Sequence, residues 1–210
     1  MWSITVWLIV INVAVYIVNQ ISGDRLAEWG YFSADTAIYH LQIWRFITFQ
    51  FLHANPSHIF FNMLALYFFG PLVEGYLGSR RYLAFYLLCG MAGAAMYLLL
   101  WKLGVLSDGA QTPLVGASAG IFGVLVAGAK IAPDAKVMLL IPPIPMRLKV
   151  LAWVMLGLAV LVVFSNGQNA GGEAAHLGGA ALGFALISRP EWLNVFARWP
   201  RRRPPRRWRA

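Results

Sequence analysis

The sequence predicts an all-α, polytopic membrane protein, a bundle of six transmembrane helices. Three observations carry that expectation. Apolar residues make up 60% of the 210-residue chain, against about 45–50% in soluble globular domains, and a water-soluble fold of this size would lack the polar surface to cover them. Six segments approach the roughly 20 mostly apolar residues that a spanning helix needs. Finally, Lys and Arg alternate in density between successive connections, as they do where a chain crosses a bilayer repeatedly.

The six segments are residues 4–21, 58–77, 82–101, 116–131, 148–164 and 174–188. Fourth and sixth are short and glycine-rich, and each carries a polar residue near its start. Breaks between spans fall at Gly78-Ser79-Arg80-Arg81, Ser107-Asp108-Gly109, Pro142-Pro143-Ile144-Pro145 and Asn166-Gly167-Gln168-Asn169, combinations that punctuate helices. No internal repeat is visible. The chain enters its first apolar stretch without a basic leader or a small-residue cleavage site, so no removable signal peptide is expected. Residues 22–57 are too long for a simple turn and hold Trp29, Tyr31, Phe32, Ile43, Trp44, Phe46, Phe49 and Phe51. That aromatic density suits short helices lying partly in the outer leaflet.

Charge orients the bundle. Of the 17 Lys and Arg residues, all but Arg25, Arg45 and Lys102 lie on Arg80-Arg81, on or beside the stretch 132–149, or at the C-terminal end. The positive-inside rule then places both termini in the cytoplasm. The net charge of +9 does not point to nucleic acid, because it concentrates in an arginine-rich cytoplasmic tail over residues 189–210, which suits anionic lipid headgroups instead. Cys89 is the single cysteine, so no intramolecular disulfide can form.

Polar side chains inside spans are costly and usually functional. On this topology the second, fourth and sixth spans all begin at the outer face. His58 and Asn62 then lie in the first turns of the second, Ser118 near the start of the fourth and His176 near the start of the sixth. Three distant parts of the sequence therefore bring a hydroxyl, two imidazoles and an amide to similar depth.

Ser118 lies in Gly116-Ala117-Ser118-Ala119-Gly120. The G-x-S-x-G string also marks a nucleophile on a strand-to-helix turn, but no strand precedes it here, and a small residue at a helix contact is the plain alternative. His176 bears on the choice. Ala175, Gly179 and Gly183 recur every four residues on its helix, and Ala119, Gly123 and Ala127 form a matching strip on the fourth. Small-residue strips let helices approach closely, and across such a seam a serine can reach an imidazole at the 2.6–3.2 Å typical of a nucleophile and its base. A histidine satisfied by a backbone carbonyl is the competing reading. No acid lies inside a span near His176; Glu173, three residues earlier, is a weak third-member candidate at the water boundary.

His58 and Asn62, spaced i, i+4, share a helix face. Their N–H groups, with the Ser118 backbone N–H, can serve as an oxyanion hole, or they can simply hydrogen-bond between helices. His53, five residues before His58, can orient the loop or His58 itself. His53, His58 and His176 can also supply zinc nitrogens, but no H-E-x-x-H pair or second cysteine accompanies them, so no metal and no cofactor is expected.

Taken together, Trp44-Arg45, the run from His53 to Asn62, Gly116-Ala117-Ser118-Ala119, and Ala175-His176 with Gly179 and Gly183 resemble the rhomboid intramembrane proteases, and Val73-Glu74-Gly75-Tyr76-Leu77-Gly78-Ser79 resembles that family's exit from the second helix. The resemblance covers nearly the whole chain apart from the arginine-rich end, with residues 1–188 as the six-helix rhomboid domain. It implies an intramembrane serine endopeptidase with a Ser118–His176 catalytic dyad, oxyanion donors at His58, Asn62 and the Ser118 N–H, and a structural, lipid-facing role for Trp44-Arg45. Ala119 stands where the family often has Gly, and Phe122 where some relatives have Tyr.

The implied partners are transmembrane protein substrates and the lipid bilayer, with no nucleic acid. A bacterial cytoplasmic membrane is the expected home. Cleavage is expected near the outer membrane face, with substrate arriving beside the fifth helix and a mobile cap at residues 165–172. A non-catalytic client-binding relative and a small-molecule channel are the competing classes; the first need not keep both Ser118 and His176, and the second would favour intramembrane acidic pairs.

Overall fold

The structure is a computed structural model describing residues 2–138 and 143–197. In chain order its helices are α1 (Ile4–Ile21), α2 (Arg25–Gly30), α3 (Arg45–Thr48), α4 (Pro56–Leu77), α5 (Ser79–Lys102), α6 (Ser118–Ile131), α7 (Leu148–Phe164), α8 (Ala170–Ser188) and α9 (Asn194–Ala197). Each of the six apolar segments falls on one long helix. By length and composition α1, α4 and α5 can cross a membrane. Shorter apolar helices follow in α6, with 14 residues, and α7, with 17, while α8 has 19.

Local chemistry sets the boundaries. Ser3 Oγ accepts from Val6 N at the start of α1. Asn55 caps α4 by accepting the His58 N–H at 2.8 Å, and Pro56 follows at N1, where its missing N–H costs nothing. The sixth apolar segment was expected from residue 174, but α8 begins at Ala170. Its first turn contains Gly171 and Gly172, poor helix formers, and tertiary packing overrides propensity: a methyl on Gly171 would lie 2.8 Å from the Tyr97 ring.

Helix α8 packs chiefly on α5 and α6. A methyl on Gly179 would overlap the Ala119 carbonyl, and one on Gly183 would sit 2.6 Å from Gly123 Cα. The two small-residue strips therefore meet backbone to backbone, a contact that any larger side chain would push apart. Away from this seam α1, α4 and α7 leave large apolar residues exposed, including Ile11, Ile17, Phe60, Phe68, Trp153, Leu161 and Phe164. Water would penalise a belt of this extent; lipid does not. The molecule is a polytopic membrane helical bundle.

Two structural devices go beyond the apolar pattern. Buried Glu74, near the end of α4, accepts from Ile4 N at 2.8 Å, Thr5 N at 2.9 Å, Thr5 Oγ1 at 2.8 Å and Ser79 Oγ at 2.7 Å. It thereby satisfies orphan donors at the start of α1 and clamps three helices at one end. In the connection between α1 and α4, Arg45 is buried and donates to the carbonyls of Tyr31 and Glu28 and to Gln42 Oε1. Neighbouring Trp44 is 40% exposed and stacks on Trp29 at 5.8 Å. Besides α2 and α3, this connection contains a π-helical turn, Asp35–Tyr39, and a 3-10 turn, Phe49–Phe51.

Between α6 and α7 two short strands pair antiparallel, β1 (Lys136–Met138) with β2 (Pro145–Arg147), the second opening on the last proline of the proline-rich stretch. Pro142 of that predicted break lies outside the described residues, as do residues 198–210 of the arginine-rich tail expected over 189–210. The preceding residues fold back on the bundle, with Leu193 buried in its core.

Candidate active site

The site begins with a pairing between distant loops. Phe32 and Leu114 form an isolated antiparallel bridge, N–H to carbonyl at 3.0 and 2.7 Å, and Gly116 N donates to Phe49 O at 3.0 Å. The connection after α1 thus holds the lead-in to α6. Gly116 has φ +132°, and a Cβ there would stand 2.8 Å from His58 Nε2. Only glycine combines that backbone with so close an imidazole. Two residues on, Ser118 is the first residue of α6, where backbone N–H groups have no partner within the helix and favour negative charge.

On α4, the Ala54 N–H donates to His58 Nδ1 at 3.4 Å. A neutral imidazole that accepts at Nδ1 carries its proton on Nε2, the nitrogen facing Gly116. One turn along, Asn62 is buried, and its Nδ2 has no hydrogen-bond partner among the described residues. A buried donor left unmatched costs about 1–3 kcal/mol, so an acceptor that reached this Nδ2 would be stabilised. His53 sits edge-on to His58 with centroids 5.1 Å apart. Burial, and secondarily the nearby charge of His58, pushes His53 down to about 3, which keeps it neutral at any ordinary pH.

His176 lies in the second turn of α8. Its ring stacks on Phe122 of α6, with centroids 4.0 Å apart and planes 9° from parallel, and its Nδ1 is 2.9 Å from Glu173 Oε2. Among the described residues Ser118 Oγ makes no hydrogen bond to His176. Both side chains open onto one cavity of about 360 Å³, together with His58 and Asn62. All four residues singled out in the sequence therefore converge on one space, and His53 backs it. Catalytic hydrogen bonds in ligand-free enzymes commonly tighten only when substrate binds.

Sequence reasoning missed several participants. Asn55, Asn169 and Gly172 line the same cavity, and an adjoining space of about 450 Å³ shares them and adds Tyr97, Asp108 and Thr112. Asn169 takes a left-handed conformation, φ 65°, a preference that its Asn-rich loop could have signalled. The loop between α7 and α8, expected as a mobile cap, is shorter than anticipated and tethered: Ser107 N donates to Asn166 Oδ1 at 2.9 Å.

The bundle, with its partly buried polar cleft, defines a membrane-embedded helical protein. A profile of the rhomboid domain matches residues 40–189. Over 204 residues the chain is 31% identical to the rhomboid protease AarA of Providencia stuartii, covering 89% of this chain and 71% of that protein. It is 27% identical to the rhomboid protease GlpG of Serratia proteamaculans, covering 87% of this chain and 61% of that one. Against the rhomboid protease GluP of Bacillus subtilis it is 34% identical, covering 67% of this chain and 25% of the relative. The chain belongs to the rhomboid family, and with it to the intramembrane serine proteases.

Proposed function

We propose that the protein cleaves transmembrane segments of membrane proteins near the outer membrane face, with Ser118 as nucleophile and His176 as general base. The observation supporting this most directly is the shared cavity on which Ser118, His176, His58 and Asn62 converge. Ser118 Oγ attacks the scissile carbonyl carbon while His176 takes its proton. The carbonyl oxygen becomes an oxyanion, held by Asn62 Nδ2–H, His58 Nε2–H and the Ser118 N–H. Collapse breaks the C–N bond, and the imidazolium returns the proton to the leaving amine. Water, deprotonated by the same imidazole, then hydrolyses the acyl-enzyme and restores Ser118.

Orientation follows the Lys and Arg asymmetry, with six spans, both termini cytoplasmic and a bacterial cytoplasmic membrane as the host. Residues 1–188 form the protease unit and residues 189–210 its basic cytoplasmic end, anchored to the bundle at Leu193 and suited by its charge to anionic lipid and not to nucleic acid. A substrate arriving as a helix must unwind before its carbonyls can be attacked. Glycine and proline cost a helix about 1 and 3 kcal/mol relative to alanine, so substrates with a small residue at the cut and such a breaker beyond it are favoured.

Labelling by a serine-directed fluorophosphonate, read by intact mass, is the direct test. Wild-type protein should take one label, and Ser118→Ala and His176→Ala should take none and cleave nothing while still folding. Near-wild-type turnover in either variant would overturn the assignment. Cleavage undiminished after a substrate's breakers are replaced by leucine would show that unwinding does not limit recognition.

A further inference from the structure

An imidazole can accept the Ser118 proton at one nitrogen only if the other carries the ring N–H. At His176 the Nδ1 side is taken by Glu173 Oε2, 2.9 Å away, and the two side chains are 12% and 24% exposed. A carboxylate only accepts hydrogen bonds, so this contact selects the Nδ1–H tautomer and leaves the Nε2 lone pair available. We propose that Glu173 is a positioning residue that fixes the tautomer and ring plane of His176, an inference that rests on the Ser118–His176 reading above.

The plainer role for an acid in the first turns of a helix is to complement its dipole, worth about 0.3–1 kcal/mol. That role does not require the carboxylate to engage an imidazole. Here the Glu173 backbone N–H is already satisfied by Asn169 O at 3.0 Å, and the side chain reaches along the helix to the next turn. Two clamps then restrain the ring: Phe122 on its face and Glu173 on its edge. When His176 takes the serine proton, the same carboxylate faces the resulting imidazolium. Its effect therefore falls on the transition state and not on substrate affinity.

Other groups do not supply this. From α4, His58 has its Nδ1 occupied by the Ala54 N–H. From α5, Ala92, Gly93 and Met96 approach this part of α8, and none is titratable. The second carboxylate nearby, Asp108, lies over Gly171, before Glu173 on the chain.

The test uses the purified full chain in proteoliposomes with a single-span fluorogenic reporter carrying a small residue at the cut. Glu173→Ala should lower kcat about 10- to 100-fold with KM within twofold, less than the 10⁴-fold lost when a fully buried triad acid is replaced. Glu173→Gln, which keeps an acceptor, should recover part of that loss. In ¹⁵N-histidine spectra recorded in a Ser118→Ala background, His176 should appear as the Nδ1–H tautomer, and the Nε2–H form should grow in Glu173→Ala. Unchanged kcat in Glu173→Ala sinks the proposal. So does a lower kcat accompanied by a lower Tm and an unchanged tautomer, which would mark a purely structural role. Cleavage persisting in Ser118→Ala or His176→Ala would remove the underlying reading, and this one with it.

Discussion

The Phe122 ring lies parallel to the His176 imidazole at 4.0 Å. Phe122 is one turn beyond Ser118 on α6, so the helix that carries the proposed nucleophile also carries the plate against which the proposed base rests. Stacked aromatic pairs contribute about 0.5–1.5 kcal/mol beyond buried area. Phe122→Ala should therefore lower kcat by about 2- to 12-fold, while Phe122→Tyr, which keeps the ring face, should stay near wild type. Equal rates in all three proteins would show that the stack does not position the base.

Asn62 and His58 make a sharper pair. Loss of one oxyanion donor typically costs about 10²- to 10³-fold in kcat, and each alanine variant should show it. Asn62→Ala removes a buried donor without a partner, so its Tm should not fall even as its activity does. A parallel loss of Tm and activity would assign Asn62 to the scaffold instead.

The seam between α6 and α8 tolerates no added bulk. Gly179→Val should lower Tm and cleavage together, because overpacking a tight core costs about 1–3 kcal/mol. Gly157→Ala is the control: nothing lies within 4 Å of a methyl there, and its Tm should be maintained or raised. Thermal melts in detergent followed by tryptophan fluorescence would compare the two, and a Gly179→Val protein as stable and active as wild type would show that the seam can open.

His53 gives the fold a dependence on acid. Burial holds it at about 3 in the folded protein, whereas an exposed histidine has a value of about 6.5. On acidification the unfolded chain takes the proton first. The stability associated with neutral His53 is therefore fully present above about pH 6.5 and is lost progressively toward pH 3, to an extent on the order of a few kcal/mol. His53→Gln should flatten the fall in Tm between pH 7 and pH 4, and parallel wild-type and variant curves would count against this account.

Topology is testable by cysteine labelling. Native Cys89 is fully buried and contributes little background. Single cysteines at Ser107 and Asn169 should react from outside, and those at Ser79 and Ala135 only after permeabilisation. The reverse pattern would move the cleft to the cytoplasmic face.

The long helices were legible because unbroken apolar stretches leave little choice of conformation, and segments 4–21 and 148–164 coincide with α1 and α7. The start of α8 was not, since Gly171 and Gly172 read as loop until Tyr97 is seen packed on Gly171 and the Asn169 side chain on Gly172. Ser118, His58, Asn62 and His176 stood out as polar groups in apolar spans. The Phe32–Leu114 bridge carried no such signal, because one isolated pair of residues 82 apart has no periodicity. The Glu74 clamp was equally hidden: its partners lie at the far end of another helix. Spacing marked Glu173 as a neighbour of His176, but only the side-chain geometry distinguishes a solvated acid from one bonded to the ring.

Helix α6 has 14 residues, a rise of about 21 Å, whereas the hydrocarbon layer is about 30 Å thick. On the orientation proposed above, with the Lys130 end of α6 at the cytoplasmic boundary, Ser118 would lie about 9 Å beneath the outer one, by difference of those lengths. Peptide hydrolysis at that depth converts one neutral amide into a carboxylate and an ammonium, two charges that hydrocarbon rejects strongly. At the proposed depth the severed ends would therefore be driven outward into water as soon as they form. On that reading, rejoining them would require both to shed their hydration and return together, so the shortness of one helix would make the cut a one-way step and clear the cleft for the next substrate.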